Sequence, residues 1–443
     1  MFSYIDSAHS LSSGRDVRVR GSEDSFFNHL VRPKVNDFQQ LMRQWTALAP
    51  YNAGHVMRVS DAPDLERWSA ALAAVLKTLE ITEPVPIELS TLALDQKIIE
   101  ELNRSFVPGT LPLRAFVTVD QQDNHLFGVI YDHWFADSPS LRALMQRLFV
   151  HYSGNGENLP PLRVASDDDD PLKYSGFGFR ALISCVRDYL RHRRAYRIHL
   201  RDPLDFGTGF FSTRFPAGAI DHIRAFAKKH RATVNDVFLA TASQALGKFT
   251  AEQRKSEPDP RTKRDRVAVA TAVDLKPLST RSLDDVFGFF VGYFTIVHDH
   301  PEKRSLPELI GVTVGETSAS KSAARALEFT WGLRIARWIW DWSSRPRFKA
   351  QLFQKGLPFL AGISNVNLTG SWADQEKMAP GGRAMVLDYF RISPVGPLVP
   401  LVFTLTTIRD RLSLCVTYRT TAFSQNQAER IATELMERLQ RLE

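Results

Sequence analysis

Residues 127–138, Phe-Gly-Val-Ile-Tyr-Asp-His-Trp-Phe-Ala-Asp-Ser, constrain this chain more than any other stretch. Phe127, Val129 and Tyr131 alternate with Gly128, Ile130 and Asp132, and aromatic and β-branched residues dominate, the pattern of a buried strand. Ser138-Pro139 reads as a helix start, with Ser138 as N-cap and proline at the first helical position. Leu141, Leu144, Met145, Leu148 and Phe149 supply the apolar stripe of that helix. His133 therefore falls where a strand has ended and a helix has not begun, on a loop held by rigid elements, where chemistry is often placed. The spacing His133-x-x-x-Asp137 says little alone. With 12 histidines and 49 acidic residues, chance supplies about one such pair. The chain has a second, His298 with Glu302. Without further support, His133 reads as a histidine satisfied by hydrogen bonds at a strand end.

At 443 residues and 50.1 kDa the chain exceeds one ordinary core, and two domains are expected. Hydrophobic content of 44% and charged content of 24% are those of a soluble globular protein. The net charge of +7 and pI near 9.3 favour anionic partners such as phosphorylated cofactors, acidic proteins or anionic lipid. No zinc-ligand spacing and no basic-aromatic RNA-binding strand motif is visible, so neither metal nor nucleic acid is expected. The two cysteines, Cys185 and Cys415, sit in apolar settings and fit a reducing compartment. The N-terminus lacks the basic start and apolar run of a signal peptide, and no apolar stretch of about 18 residues is present to span a bilayer. The expected location is the cytoplasm.

Residues 1–35 are polar and mixed, and an irregular arm is expected there. Periodicity then predicts a strand at 55–59, a helix at 65–79, a strand at 87–89, a helix at 94–104 and a strand at 113–119. The polar turn Gln121-Gln122-Asp123-Asn124 makes 113–133 a hairpin ending on His133. Residues 152–172 read as a break, with Ser-Gly-Asn-Gly, two prolines and Asp167 to Asp170. Four adjacent acids without the glycine turn of a calcium loop are expected to be a solvated linker. The division is thus 1–172, an N-terminal lobe plus linker, and 173–443, a C-terminal lobe. A long basic crossover helix should open the latter, carrying Arg187, Arg191, Arg193, Arg194 and Arg197. It is either a solvated face or a docking face for an acidic carrier protein or phosphates, with Arg187, Arg191 and Arg194 as the donor-docking candidates. Beyond it, strands are expected at 210–215, 267–273, 289–297, 358–363, 383–392, 398–408 and 411–418. Helices are expected at 219–230, 233–250 and 305–326, with a basic, polar loop at 251–266. Trp331, Trp338, Trp340 and Trp342 lie near Arg334, Arg337, Arg345 and Arg347, a stretch that fits peripheral membrane contact, a cover for an acyl tunnel, or core packing. Ser424 with Gln427 forms a capping box, and Ala428, Ile431, Ala432, Leu435 and Leu439 give the last helix a buried face.

Four stretches in order carry a family likeness. They are Asp132 to Ser138 at a strand end; Ala232 to Ala240; Val273-Asp274-Leu275-Lys276-Pro277 followed by Gly288 to Phe294; and Ser364-Asn365-Val366 with Arg411 to Arg419. In these, over roughly residues 50–443, the chain resembles the superfamily of CoA-dependent acyltransferases and nonribosomal-peptide condensation domains. Its signature is His-His-x-x-x-Asp-Gly, and chloramphenicol acetyltransferase, the plant BAHD enzymes, the wax ester synthases and mycobacterial lipid-esterifying acyltransferases share its fold. The resemblance implies an α/β fold, an α+β sandwich of two chloramphenicol-acetyltransferase-like lobes forming a V-shaped pseudo-dimer around an active-site tunnel. It implies transfer of an acyl group from a thioester donor, acyl-CoA, to an alcohol or amine, with His133 as general base. Asp137 would be structural, paired with an arginine and pointing out of the site. Trp134, Tyr293, Ser364 and Asn365 are the candidate substrate-binding residues. No permanently bound cofactor is implied; coenzyme A or phosphopantetheine carries the acyl group as substrate. The implied partners are acyl-CoA or an acyl carrier protein and a small-molecule or lipid acceptor, with a monomer expected.

This sequence departs from the signature at Asp132, which replaces its first histidine, and at Ser138, which replaces its glycine. Gly292-Tyr293 replaces a Gly-Asn pair common in peptide-forming condensation domains, which favours a stand-alone acyltransferase over a synthetase module. Two alternatives stay open. One is a stand-alone condensation protein using a carrier-bound donor in natural-product or lipid biosynthesis. The other, motivated by Asp132 and Ser138, is a non-catalytic docking or scaffold protein.

Overall fold

The stretch before His133 is a central strand of a sheet in the computed structural model, which describes residues 36–120, 124–154, 159–169, 179–256, 264–320, 323–372 and 384–442. The expected arm at 1–35, the turn at 121–123 and Asp170 lie outside the described residues, as does the side chain of Cys185. The strands are β1 (Asn52–Val59), β2 (Ile87–Ser90), β3 (Leu113–Val119), β4 (His125–Asp132), β5 (Arg163–Val164), β6 (Thr208–Arg214), β7 (Arg266–Asp274), β8 (Val286–Phe287), β9 (Val291–Asp299), β10 (Ala361–Asn367), β11 (Val386–Ile392), β12 (Leu401–Ile408) and β13 (Arg411–Arg419).

A five-stranded sheet has the order β11-β1-β4-β3-β2, and a six-stranded sheet the order β6-β13-β12-β10-β7-β9. Every residue of β4 is buried, because both faces of its sheet are covered. One face packs under the helices Leu65–Thr78 and Ser138–Tyr152, where Phe127, Val129 and Tyr131 meet Trp68, Leu141, Leu144, Met145, Leu148 and Phe149. The other face, with Val56, Phe116, Ile130 and Ile392, packs on the helix Leu94–Asn103 and on Phe210 and Cys415 of the second sheet. Gly128 is required here, since a Cβ at that position would stand 2.3 Å from the Phe116 ring across the ladder. The second sheet buries its outer face under the helices Ala219–Lys229, Val234–Ser256 and Gln425–Gln440, the last capped by Ser424 and Gln427 as expected.

Two devices join the sheets. The helix Leu94–Asn103 is clamped to β6, with Asp95 accepting from the Ser212 amide at 3.1 Å and Asn103 exchanging hydrogen bonds with Thr208. β11, from late in the chain, crosses over and completes the first sheet beside β1. The division at residue 172 thus remains a proposal for how the chain partitions.

Several expectations are corrected. Asp137, not Ser138, is the N-cap of the helix Ser138–Tyr152, because its extended backbone lets its side chain accept from the Ser140 amide. The acidic run is not wholly solvated: Asp169 is buried and pairs with both terminal nitrogens of Arg163 at 2.7 and 2.9 Å, which holds its carboxyl well below the usual range. The basic helix ends at His192, so Arg193, Arg194 and Arg197 lie beyond it as the chain turns to pair Ala195 with Arg266. The expected helix at 305–326 is replaced by the helices Leu306–Ser320 and Ala323–Trp342. The helix Val234–Ser256 takes up the first residues of the expected surface loop. Within the tryptophan-rich stretch, Trp340 is core, whereas Trp338 and Trp342 are 68% and 82% exposed.

Candidate active site

His133 follows the last residue of β4, and its amide donates to the Tyr51 carbonyl at 3.0 Å. Its ring lies among three aromatic rings, Tyr51 at 5.8 Å, Tyr131 at 6.0 Å and Phe289 at 6.1 Å between centroids. Tyr131 lies on β4 and Tyr51 just precedes β1 of the first sheet, and Phe289 precedes β9 of the second, so the imidazole sits at the junction of the two. It is 3% exposed, and its Nδ1 has no hydrogen-bond partner. Burial pushes its pKa well below the ordinary value, and the charge of Arg391 pushes it further. The ring is therefore neutral at neutral pH.

Asp137 ties the two sheets together at this point. One carboxylate oxygen accepts from the Ser140 amide at 2.8 Å, and the other from the Phe290 amide at 2.6 Å. Its own amide donates to the Gly288 carbonyl at 3.0 Å, and the Gly288 amide donates to Ser140 Oγ at 3.1 Å. The arginine partner implied by the resemblance is replaced by backbone amides: among the described residues Asp137 makes no ion pair, and Arg142 only feels its charge at a distance. Asp132 points elsewhere, accepting from Thr46 Oγ1 at 3.0 Å; burial pushes its carboxyl up to about 7.

Sequence reasoning missed much of the surroundings of His133. His55, fully buried on β1, takes a 2.8 Å hydrogen bond between Nδ1 and the Tyr389 hydroxyl and stacks on Tyr131 at 6.1 Å. Arg391 on β11 lies opposite His55 in the ladder and is 4% exposed. Its Nε donates to Ser138 Oγ at 3.2 Å and its Nη1 to Ser393 Oγ, which is itself 2.7 Å from Thr404 Oγ1. The available signal was the arginine set between Phe390 and Ile392 in a strand-like stretch, since arginine is rarely buried without a role.

No family model matches the chain, and no curated protein matches it. Solved structures do. TRI3 trichothecene 15-O-acetyltransferase from Fusarium sporotrichioides superposes with a TM-score of 0.67 at 12% identity, covering 92% of this chain and 94% of that one. The cyclization-docking bidomain of EpoB from Sorangium cellulosum gives 0.64 at 14%, over 92% and 84%. The condensation domain of the monacolin K polyketide synthase MokA gives 0.63 at 13%, over 91% and 96%. This chain has the condensation-domain fold. At such identities the likeness concerns the fold alone.

The remaining expected site residues take distinct places in this condensation-domain fold. Trp134 is buried beside His133, its carbonyl accepting from Gln39 at 3.0 Å and its ring lying 4.8 Å from the Arg43 guanidinium. Tyr293 packs edge-on against Phe38 at 5.4 Å, and burial pushes its phenol pKa up, so it stays neutral. Ser364 lies beside Thr404 in the β10–β12 ladder, whose hydroxyl continues to Ser393 and Arg391. Strand alternation turns Asn365 to the opposite face, the side of Ile363 and Leu405, and its Oδ1 is buried without a partner. Arg191 is engaged within the protein, donating to the Val297 carbonyl at 3.3 Å and pairing with Glu316. Arg187 and Arg194 are exposed, Arg187 donating to Ser184 Oγ at 3.1 Å. The second histidine-acid pair separates: His298 is a core residue 3.3 Å from Thr313 Oγ1, held at about 4 by burial, while Glu302 pairs with Arg254. Among the described residues, no helix is long and apolar enough to cross a membrane.

Proposed function

We propose that this chain is an acyltransferase that moves an acyl group from a thioester donor to an alcohol or amine, with His133 as the general base. The observation that carries the reading is the neutral His133 imidazole, buried at the junction of two sheets and ringed by Tyr51, Tyr131 and Phe289. A thioester is already activated, so the protein has to align a nucleophile and remove its proton. His133 takes the proton of the acceptor as its oxygen or nitrogen attacks the thioester carbonyl. The tetrahedral adduct then expels the sulfur, and the imidazolium returns the proton to the thiolate. Asp137 holds the loop and the Gly288–Phe290 segment in place and takes no part in the proton transfer. TRI3 supports this reading as an acetyltransferase of the same fold.

The expected donor is acyl-CoA. A carrier-bound donor is favoured by a different observation. The helix Phe179–His192 turns Ser184 and His192 inward and leaves Ile183, Val186, Tyr189 and Leu190 about half exposed, beside exposed Arg187. An apolar stripe edged with arginine complements an acidic amphipathic carrier. Free thiol released from a panel of acyl-CoAs and acylated carrier proteins, with pooled alcohols and amines, tests both. Acceptor-dependent release from either donor supports acyl transfer and names the donor; silence with both donors removes the reading.

A further inference from the structure

Among the described residues, Arg391 is a buried guanidinium without a carboxylate partner. Its hydrogen bonds go to hydroxyls, those of Ser138 and Ser393 with the Tyr131 phenol beside them, and among the described residues it makes no ion pair. Neutral hydroxyls orient a guanidinium without neutralising it, whereas a purely structural buried arginine is ordinarily matched to a carboxylate. Further positive charge surrounds it. Arg142, with its Nε buried and unpartnered, is close enough for the two cations to repel. The N-terminus of the fifteen-residue helix Ser138–Tyr152 opens at the very serine that Arg391 contacts. The neighbouring acids are turned away or already engaged: Asp137 by the amides of Ser140 and Phe290, Asp132 by Thr46, and Asp274 by the Lys276 amide.

Buried polar atoms without partners collect on the same ground. They are His133 Nδ1, His55 Nε2 and Arg142 Nε. Arg391 also interacts electrostatically with Tyr51, His55, Tyr131, His133, Tyr293 and Tyr389, so it faces the same interior as the proposed base. An acyl chain and a neutral acceptor would leave the charge of the guanidinium unanswered. A carboxylate would answer it, since a guanidinium pairs with a carboxylate through charge-assisted hydrogen bonds that neutral hydroxyls cannot match.

We propose that Arg391 is an anion-binding residue of the site, and that one of the two substrates carries a carboxylate that docks on it next to His133. The naming of substrates rests on the acyl-transfer reading; the anion site itself does not. Ser138, standing where the family signature has glycine, then has a part: with Ser393 it aims the guanidinium.

The test uses acetate against its neutral isostere acetamide, with potassium chloride at matched ionic strength, read as the thermal midpoint of the full-length protein. Acetate should raise the midpoint of wild type in a saturable way, and acetamide and chloride should not. Arg391→Gln should lose the acetate effect, Arg391→Lys should bind acetate about ten-fold more weakly through loss of the planar fork, and His133→Ala should keep it. Should Arg391→Gln not fold, the wild-type and Arg391→Lys comparison decides alone. Equal responses to acetate and acetamide in wild type, or an acetate effect unchanged in Arg391→Lys and Arg391→Gln, would overturn the proposal. Two binding arms then locate the carboxylate: succinyl-CoA against butyryl-CoA for the donor, and a hydroxy acid against its amide for the acceptor. An acetate response without any acyl transfer would leave the anion site standing and remove the transferase reading.

Discussion

His133 and Asp132 are adjacent, buried and driven in opposite senses by the same cause. Burial disfavours charge on both, so the histidine stays neutral and the aspartic acid holds its proton up to about 7. For His133 the folded pKa lies below the ordinary value of about 6.5, so the base form is fully populated from there upward. The kcat/KM of acyl transfer should therefore show no histidine limb between about pH 6.5 and 8. A limb titrating near the ordinary histidine value would show that the base is solvated and is not this buried ring. Asp132 has the opposite sign. Its raised pKa means that the folded state binds more protons than the unfolded one above the ordinary carboxyl range. Stability contributed by that proton is present below about pH 4 and is lost as pH rises toward the folded value. Asp132→Asn should thus raise the thermal midpoint at pH 8 and raise it less at pH 5, with the Thr46 contact retained. Sequence reading found His133 because its signal is local, a strand and a helix on either side of one residue. Arg391 and His55 escaped it because their meaning lies in the register that sets them opposite each other, across more than three hundred residues of chain.

Asp137 acts at the scale of elements. It caps one helix and pins the segment before β9 through the Phe290 amide. Asp137→Ala removes an N-cap, worth about 0.5–2 kcal/mol. It also leaves a buried amide unpaired, at about 1–3 kcal/mol. The expected loss in urea unfolding is about 2–4 kcal/mol, with Asp137→Asn milder because one acceptor oxygen remains. A loss under about 0.5 kcal/mol would mean that the amides find other partners. Local composition placed most elements here within a residue or two, and the Ser424–Gln427 capping box was legible outright. At the start of the helix Ser138–Tyr152 two good capping residues stand side by side, and composition could not rank them. The tertiary contact of Ser138 with Arg391 leaves Asp137 as the cap.

At the scale of the molecule, β11 and the helix Leu94–Asn103 make the two sheets one structure. The apolar cluster of Val56, Phe116, Ile130 and Ile392 with Phe210 and Cys415 draws side chains from both. Tryptophan fluorescence and far-ultraviolet circular dichroism should therefore report coincident unfolding transitions; two separated transitions would mean that the sheets unfold independently. The periodic pattern of strands and helices pointed to a two-lobed α/β chain. It could not show that a late strand returns to the first sheet, because strand pairing is non-local and 386–392 reads the same whichever sheet receives it. That returning strand carries Arg391 to the ground occupied by His133, so the site exists only in the assembled molecule.

In the proposed reaction His133 moves the proton of acyl transfer. Acylated acceptor and free thiol counted together, in wild type and in folded His133→Ala, test it most directly. Wild type should give one acylated acceptor per thiol, and His133→Ala should lose about 10²–10⁴-fold in turnover. Equal turnover by the two proteins, or thiol released without acylated acceptor, would contradict it.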